Sequence, residues 1–288
     1  MEYVTLNNGV QMPKLGLGVF RITDLEQAEE VVYQAIENVG YRLIDTAAAY
    51  GNEKAVGAAL RKVSVPREDI FVTSKLWITD VQDGYEGAKR GLDRSLMNLG
   101  LDYIDLYLIH QPIGDLYGAW KYLSEVYEEG KIRAIGVDNF TQARLAEFIH
   151  FNKIKPAVNM IEANVFHQRK EDHQAMEKRD VQMIAWAPFS AGAVGVFTLP
   201  ELTTIGDKYQ KTVGQVILRW FMQRGIVAIP KTVRVERMKE NLDIFDFELT
   251  EEEMAIINHL DQGGGYSLPE TADGFENLLR ALGNFSVD

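Results

Sequence analysis

The chain contains no cysteine, which excludes disulfide bonds, thiolate metal sites and a cysteine nucleophile. No window approaches the roughly 18 uninterrupted apolar residues that a membrane-spanning helix needs. The N-terminal stretch MEYVTLNNGV lacks the basic and apolar regions of a signal peptide. Since the missing cysteines also fit a reducing compartment, we expect a cytoplasmic protein.

Positive charge is scarce as well, since 30 lysines and arginines stand against 42 aspartates and glutamates and leave a net charge of −12. Nucleic acid is therefore not expected as the main partner, because binding to its phosphates needs a basic face. Any anionic ligand must be held by a local cluster of cations. No metal site is expected, because metal-ligand spacing is missing among His150, His167, His173 and His259, which we interpret as structural or solvated.

What the sequence does contain is the composition of an ordinary globular protein, with 288 residues of which 46% are hydrophobic and 25% charged. That length allows one domain or two. We expect one domain over residues 1–288, because no linker, near-identical repeat or low-complexity segment divides them. Residues 1–14 alternate apolar and polar around an Asn-Gly pair, which predicts a hairpin cap. Residues 261–288, rich in glycine at their start, are typical of a long ordered tail or loop near the substrate.

Between these ends one unit recurs, a short apolar strand followed by a turn and an amphipathic helix. Eight such units over roughly 250 residues predict parallel strands closed into a (β/α)8 barrel, also called a TIM barrel. An open doubly wound sheet is the alternative, although no predicted strand is followed by a GxGxxG turn. The predicted strands are 15–18, 42–45, 70–75, 104–109, 132–137, 157–162, 182–186 and 227–229. Helices are predicted over 25–39, 52–60, 85–99, 118–129, 145–151 and 250–260.

Ionisable residues follow three successive predicted strands. Asp45 ends the second strand and Tyr50 lies in the loop after it, Lys75 ends the third strand, and His110 follows the fourth. Because the carboxyl ends of all barrel strands point to one face, we expect these four side chains to meet there. Each residue alone is more often structural, as a capping Asp or a half-buried Tyr would be. Four of them at successive strand ends favour catalysis.

Lys75 lies in the apolar run FVTSKLW, where an unpaired ammonium group would be costly. Asp45, on the neighbouring strand, is expected to pair with it. An ammonium close to a phenol favours the phenolate, so we expect Lys75 to lower the pKa of Tyr50 and to make it a proton donor near neutral pH. His110 is placed to hydrogen-bond the same substrate oxygen.

A local basic cluster stands out in this acidic chain, formed by Lys231, Arg234, Arg237 and Lys239. It begins just past the eighth predicted strand, where barrels commonly bind phosphate, and arginine suits bidentate phosphate recognition. Arg237 and Asn241 are four residues apart and so share one helix face, as contact with a common ligand requires. The alternative is a solvated helix face.

Five segments closely resemble the aldo-keto reductases, in matching order over essentially the whole chain: LIDTAAAYGNE, SKLW, DLYLIHQP, GKIRAIGV with the following NF, and IPKTVRVERMKEN. The resemblance implies an NADPH-dependent carbonyl reductase on a (β/α)8 barrel, of the bacterial type with short loops. It also implies a catalytic tetrad of Asp45, Tyr50, Lys75 and His110. In that family the Tyr is the general acid, the Lys and Asp tune it, and the His orients the carbonyl.

The same resemblance favours NADPH over NADH. The residues that match the family's contacts to the 2′-phosphate and adenine are Lys231, Thr232, Val233, Arg237, Glu240 and Asn241. Trp186 matches the aromatic residue that stacks on the nicotinamide, and the backbone of residues 190–196, starting at Ser190, matches the pyrophosphate-binding segment.

Two positions depart from the family. The family usually has Ser and Gln there, which hold the nicotinamide carboxamide, whereas this chain has Asp138 and Met160. The family's Asn is kept as Asn139. We expect looser positioning of the nicotinamide ring and, from an ionised Asp138, a preference for NADP⁺ over NADPH. The alternative is that Asp138 points away or pairs with a neighbouring cation.

Phe20 and Trp77 match aromatic positions of the family's substrate pocket, where His110 also contacts the carbonyl. Further wall elements are expected at Tyr117, Trp120, Tyr266 and Phe275. The leading hypothesis is a monomeric enzyme that reduces aldehydes or ketones and reversibly oxidises alcohols. An NADPH-binding regulatory subunit with little turnover and a phosphate-handling barrel isomerase stay open as alternatives, and the sequence does not specify the physiological carbonyl.

Overall fold

The structure, a computed structural model, describes residues 1–192 and 195–283. A two-stranded antiparallel hairpin precedes eight parallel strands, each hydrogen-bonded to the next in chain order. The strands are β1 (Tyr3–Thr5), β2 (Gln11–Pro13), β3 (Leu17–Gly18), β4 (Leu43–Asp45), β5 (Phe71–Leu76), β6 (Ile104–Ile109), β7 (Ile132–Asp138), β8 (Val158–Glu162), β9 (Gln182–Trp186) and β10 (Val227–Ile229). All eight predicted barrel strands are thus present, with ends that differ by up to two residues.

The first and last barrel strands close the sheet on itself. The Gly16 N–H donates to the Ala228 carbonyl at 3.0 Å, and the Ala228 N–H donates to the Lys14 carbonyl at 3.0 Å. Two residues further along the strand, the Gly18 N–H donates to the Pro230 carbonyl at 3.0 Å. The predicted (β/α)8 barrel is confirmed, and the open doubly wound sheet was the wrong alternative.

The predicted hairpin cap covers the amino-terminal end of the barrel. Leu6 and Met12 are buried in the apolar cluster that fills the barrel interior. The Asn7 side-chain amide donates to the carbonyls of Pro156 and Asp180, both at 2.9 Å, just before β8 and β9 begin. Because this end is plugged, only the opposite end, at the carboxyl termini of the strands, is left for a ligand.

Helices pack around the barrel through a second, larger apolar layer. They are α1 (Leu25–Tyr33), α2 (Glu53–Lys62), α3 (Ile78–Val81), α4 (Gly84–Leu99), α5 (Leu116–Glu128), α6 (Gln142–Phe151), α7 (Lys170–Glu177), α8 (Pro200–Tyr209), α9 (Val213–Gln223), α10 (Val235–Leu242), α11 (Glu251–Asn258) and α12 (Ala272–Leu282). Each predicted helix is found. The first of them continues past α1 as a π-helix over Gln34–Val39, and the predicted capping box at Thr250 starts α11.

The C-terminal segment differs from the loop that its glycines suggested. Residues 263–265 have positive φ and belong to no helix or strand. Further on, Thr271 caps the regular helix α12. Leu282, near the end of α12, packs against the apolar cluster of Ala49, Trp77 and Ile78 at the ligand end of the barrel. The glycines indicated a loop, although the apolar residues in FENLLRAL have the spacing of a helix.

The tail is tied to the barrel before α12 begins. Arg169 donates to the carbonyls of Gly264 at 3.0 Å and Tyr266 at 3.2 Å, and His167 Nδ1 lies 2.6 Å from the Gly263 carbonyl oxygen. Among the described residues, no helix is long and apolar enough to cross a membrane, and no group of His, Asp and Glu side chains has the geometry of a metal site.

Candidate active site

The four ionisable residues at the strand ends are brought together as predicted. Asp45 is the last residue of β4, Lys75 lies near the end of β5, and His110 directly follows β6. Tyr50 ends a short 3-10 helix, Ala48–Tyr50, which Gly51 terminates with a φ of 67°. All of them therefore lie at the carboxyl end of the barrel, opposite the hairpin.

The loop that carries Tyr50 is held by a buried asparagine. Asn52, which is fully buried, accepts a hydrogen bond from the Thr46 hydroxyl at 2.8 Å. Its amide donates to the Val19 carbonyl at 2.9 Å. Because both ends of the Asn52 side chain are fixed to neighbouring barrel segments, the 3-10 turn is placed reproducibly over the end of β4.

Lys75 is the centre of the site, since its side chain is 0% exposed and every contact of its ammonium group is with protein. Nζ lies 2.8 Å from both Asp45 carboxyl oxygens, 2.9 Å from the Thr46 carbonyl oxygen and 3.2 Å from the Tyr50 hydroxyl oxygen. The predicted pairing of Lys75 with Asp45 is confirmed. The same ammonium group contacts the phenol, so its charge acts directly on Tyr50.

The two charges of this pair depend on each other. Burial by itself lowers the pKa of Lys75, but the negative charge of Asp45 raises that pKa above its usual range. For Asp45, burial raises the pKa and outweighs the opposing effect of Lys75. We assign the pair as ammonium and carboxylate, because Nζ is equally close to both carboxyl oxygens, and a protonated carboxyl group does not offer two equal acceptors.

The direction of the Tyr50 pKa differs from the expectation. Burial raises the pKa of Tyr50, and the charge of Asp45 adds to this rise, while Lys75 lowers it. The predicted lowering effect of Lys75 is present, but the pKa is raised overall, because the loss of hydration of a buried phenolate outweighs one nearby cation. Tyr50 therefore keeps its proton at neutral pH, which is the form that a proton donor needs.

His110 is a neutral imidazole, because burial and the Lys75 charge lower its pKa well below the usual range. Its ring centroid lies 5.7 Å from that of Tyr50 and 5.0 Å from that of Trp77. Nδ1 has no hydrogen-bond partner among the described residues. We place the proton on Nε2, which lies 3.8 Å from an Asp138 carboxyl oxygen.

Asn139 links this site to the predicted nicotinamide region. Its amide nitrogen donates to the His110 carbonyl at 3.3 Å, and its amide oxygen accepts from Trp186 Nε1 at 3.0 Å. Asp138 and Met160, the two departures from the family, are paired neighbours on β7 and β8 and are both buried. Met160 packs within the barrel interior and offers only apolar surface.

The predicted phosphate region forms a cavity of about 440 Å³ beyond β10. It contains all of the predicted contact residues except Val233, which packs against the core. Sequence reasoning missed the opposite wall, contributed by the loop after β9 and the start of α9. The lining residues are Phe189, Phe197, Thr212, Val213, Gly214, Lys231, Thr232, Arg234, Arg237, Glu240 and Asn241.

Within this cavity Arg237 already has a partner. Its Nη1 lies 2.7 and 2.6 Å from the two carboxyl oxygens of Glu240, which also accepts a 2.6 Å hydrogen bond from the Thr212 hydroxyl. A carboxylate that anchors an arginine fixes the direction of its guanidinium group. Arg237 is thus held at the rim of the cavity with its remaining N–H groups free to bind an anion.

The backbone between β9 and α8 adopts left-handed conformations at several residues. Ser190 and Ala191 have φ values of 54° and 52°, and Gly192 and Gly195 also have positive φ. The Ser190 hydroxyl is buried and has no hydrogen-bond partner in the described ranges. Part of the predicted pyrophosphate segment, residues 193 and 194, lies outside the described residues.

Aromatic side chains surround the entrance to the site. The ring centroid of Phe20 lies 4.9 Å from that of Tyr50, and Trp77 lies on the other side against His110. Tyr266 of the tail contacts Trp186, with ring centroids 5.8 Å apart, and its hydroxyl donates to the Gln111 side chain at 3.1 Å. Phe20, Trp77 and Tyr266 thus lie around Tyr50, His110 and Trp186 at the carboxyl end of the barrel.

Two of the further aromatic predictions are wrong. Trp120 is 1% exposed, and its indole N–H donates to the Ile154 carbonyl at 2.9 Å. Tyr117 packs on Phe148, with ring centroids 5.3 Å apart. Both belong to the interface of α5 with α6, since consecutive turns of α5 direct these side chains sideways to the next helix. Phe275 is half-buried on α12. Nothing in the sequence indicated that Leu282 of the same helix would pack against the cluster that contains Trp77.

The barrel thus combines a protonated phenol, held by a buried ammonium group, with a neutral imidazole and a nearby basic cavity. These features define a barrel enzyme that transfers protons beside a phosphorylated cofactor. Residues 14–262 match the model of the aldo/keto reductase family. The chain belongs to this family.

Named relatives and a solved structure support the same assignment. The chain is 45% identical to the glyoxal reductase of Bacillus subtilis (strain 168), covering 91% of this chain and 93% of the relative. It is 41% identical to methylglyoxal reductase DkgA of Escherichia coli (strain K12), covering 90% and 94%. A Bombyx mori aldo-keto reductase solved in complex with NADP superposes with a TM-score of 0.85 at 34% identity, over 91% of this chain and 93% of that one. The expected NADPH-dependent carbonyl reductase is confirmed, and nothing among the relatives favours a regulatory subunit.

Proposed function

We propose that this enzyme reduces small α-dicarbonyl compounds, such as glyoxal and methylglyoxal, with Tyr50 as the general acid. The observation that carries the mechanism is the contact of the buried Lys75 ammonium group with both the Tyr50 hydroxyl and the Asp45 carboxylate. Support for the substrate class comes from the relatives named glyoxal reductase and methylglyoxal reductase.

The residues divide the reaction between them. Bound NADPH supplies a hydride to the carbonyl carbon, and the oxygen becomes negative as this bond forms. Tyr50 gives its proton to that oxygen, so that one hydride and one proton convert the carbonyl to an alcohol. Lys75 stabilises the resulting phenolate, because its ammonium group lies 3.2 Å from the hydroxyl oxygen. Asp45 keeps Lys75 charged, and the Nε2–H of His110 orients the carbonyl oxygen.

The chain offers suitable groups for each part of NADPH. Lys231, Arg234 and Arg237 line one cavity and match the charge of the 2′-phosphate. The buried Ser190 hydroxyl and the left-handed backbone after it suit the pyrophosphate. Trp186, whose indole N–H is fixed by Asn139, offers a ring face for the nicotinamide.

A comparison of carbonyl substrates tests the proposed specificity. Consumption of NADPH, followed by absorbance at 340 nm, is expected to give a kcat/KM at least about tenfold higher for methylglyoxal than for benzaldehyde. The expectation rests on the relatives named glyoxal reductase and methylglyoxal reductase, and each tenfold step corresponds to about 1.4 kcal/mol of transition-state binding. Equal or higher kcat/KM for benzaldehyde would contradict the dicarbonyl proposal without affecting carbonyl reduction itself.

Arg237→Ala is expected to weaken NADPH binding much more than NADH binding. A charge-assisted hydrogen bond contributes roughly 1.5 to 3 kcal/mol, or about ten- to a hundredfold in affinity. Because the Arg237 side chain is 47% exposed and already paired with Glu240, we expect a loss near the lower end of that range. Fluorescence titrations with both nucleotides measure it. Lys239→Ala, on the same helix but outside the cavity lining, is the control, and equal losses for NADPH and NADH in Arg237→Ala would rule out 2′-phosphate recognition.

Arg169→Ala is expected to raise KM for the carbonyl several-fold while the NADPH dissociation constant stays unchanged. Arg169 holds the carbonyls of Gly264 and Tyr266, so its loss frees the segment that brings Tyr266 to the entrance. Steady-state kinetics and NADPH titration give the two constants. Arg144→Ala, which removes an exposed ion pair on α6, serves as the control. An unchanged KM would show that the tail does not form part of the substrate site.

We also propose that the protein works as a monomer in the cytoplasm. The absence of cysteine fits a reducing compartment. Size-exclusion chromatography with light scattering and cell fractionation test the two statements, and a dimer or a membrane-associated fraction would contradict them.

A further inference from the structure

One buried acid at the active site has no role in the proton transfer proposed above. Asp138 is the last residue of β7, and its side chain is only 3% exposed. One carboxyl oxygen lies 3.8 Å from His110 Nε2, and the other has no hydrogen-bond partner among the described residues. A buried polar atom without a partner is rare, and here it lies beside the proposed nicotinamide region.

Among the titratable groups around Asp138, no cation is left to pair with it. The titratable groups that face it from neighbouring elements are Asp45 on β4, Tyr50, Lys75 on β5, His110 and Tyr266 of the tail. Lys75 is the single cation among them, and it already donates to both carboxyl oxygens of Asp45. His110 is neutral. The site therefore contains two carboxyl groups for one positive charge.

This imbalance decides the state of Asp138 before a cofactor binds. Burial raises the pKa of Asp138 well above its usual range, and the Asp45 charge adds to the rise, while Lys75 and the backbone N–H of Asn139 oppose it. The neutral acid is thus favoured. The sequence-based expectation of an ionised Asp138 omitted this effect of burial, which a single sequence does not reveal.

We propose that Asp138 couples binding of the oxidised cofactor to the release of one proton. Asp138 is the neutral acid in the free enzyme and in the NADPH complex, and it ionises when the positively charged nicotinamide of NADP⁺ enters the same cleft. The carboxyl O–H bond breaks, the proton leaves to solvent, and the carboxylate and the cationic ring form a buried pair. No electron moves in this step. The inference rests on the proposed function, because it needs the nicotinamide to lie beside β7.

The consequence is a pH-dependent choice between the two forms of the cofactor. Between the pKa of Asp138 in the NADP⁺ complex and its higher pKa in the free enzyme, NADP⁺ affinity rises by up to about tenfold per pH unit. NADPH, with a neutral ring, shows no such rise. Higher pH therefore favours NADP⁺ binding and with it alcohol oxidation, and lower pH favours NADPH.

Calorimetric titration in two buffers of different ionisation enthalpy counts the protons released on binding. We expect wild type to release up to one proton more with NADP⁺ than with NADPH at the same pH, across a scan from about pH 5, just above the ordinary range of Asp, to about pH 9. The 2′-phosphate, whose second pKa is about 6, contributes equally for both nucleotides and cancels in the difference. Asp138→Asn should abolish the difference, and Asp138→Ser, which introduces the residue usual in the family, should do the same.

The possible outcomes separate the two proposals. Equal proton release for NADP⁺ and NADPH in wild type would overturn the role of Asp138 while leaving carbonyl reduction intact. Persistence of the difference in both variants, with circular dichroism showing intact folds, would assign the proton to another group and overturn it as well. Failure of wild type to bind either nucleotide would overturn the proposed function and this inference together.

Discussion

Tyr50→Phe is expected to lower kcat by about 10²- to 10⁴-fold, the usual contribution of general acid catalysis. The substitution removes only the hydroxyl group, which is the proton donor, and keeps the ring that packs between Phe20 and His110. The fold and NADPH affinity should therefore stay close to those of wild type. Steady-state kinetics and a nucleotide titration measure the two quantities.

Tyr107→Phe is the matched control for this variant. Tyr107 is another fully buried barrel tyrosine, but its hydroxyl contacts Ser95 of α4 at 3.1 Å, on the helix side of the strand. We expect its loss to lower stability by about 1 kcal/mol, typical of one hydrogen bond, and to leave kcat near wild type. Near wild-type kcat in Tyr50→Phe would remove Tyr50 from the mechanism.

Lys75→Met is expected to lower the free energy of unfolding by about 3 to 5 kcal/mol at neutral pH, as is typical when one partner of a buried ion pair is removed. The variant leaves the Asp45 carboxylate buried without a cation, since Lys75 donates to both of its oxygens. Activity should fall at least as far as in Tyr50→Phe, because the phenolate then has no stabilising charge. Urea denaturation gives the free energy, and NADPH consumption gives the activity.

The pH dependence of this loss identifies Asp45 as its cause. Burial already raises the pKa of Asp45, and without Lys75 nothing opposes the rise. A group whose pKa is higher in the folded than in the unfolded state loses its stabilising effect as pH rises through the folded value. Lys75→Met should therefore be less destabilised near about pH 5, which is closer to the ordinary pKa of Asp, than near about pH 7. The double variant Asp45→Asn/Lys75→Met should recover part of the stability, and a loss that is independent of pH would contradict this explanation.

Much of the fold and the chemistry was predictable because it depends on local pattern. Alternating strands and helices indicated the barrel, and strand ends placed Asp45, Lys75 and His110 on one face before any coordinate was known. The basic cluster around Arg237 indicated the phosphate cavity. The assignment of one domain over residues 1–288 stays a prediction.

The errors arose where the answer depends on three-dimensional packing. The net pKa of Tyr50 and the protonation of Asp138 depend on burial, which periodicity does not measure. Trp120 was expected as a further wall element of the substrate pocket, although its indole N–H donates to the Ile154 carbonyl just after α6. The opposite wall of the cavity beyond β10, with Phe189 and Phe197, carries no charge pattern, so no signal marked it. Helix α12 was missed because its apolar stripe is short and gives only a weak helix signal. The glycines before it give a stronger signal for a loop.

The most direct test of the account follows the hydride and the proton separately. Wild type is incubated with methylglyoxal and NADPH that carries deuterium at the transferable position of C4, and the alcohol product is analysed by mass spectrometry. The account predicts one deuterium on the former carbonyl carbon; with ordinary NADPH in heavy water, that carbon receives hydrogen from the cofactor, and solvent deuterium appears only at positions that exchange with water. A product without deuterium from the labelled cofactor, or no consumption of NADPH, would contradict carbonyl reduction by hydride transfer in this barrel.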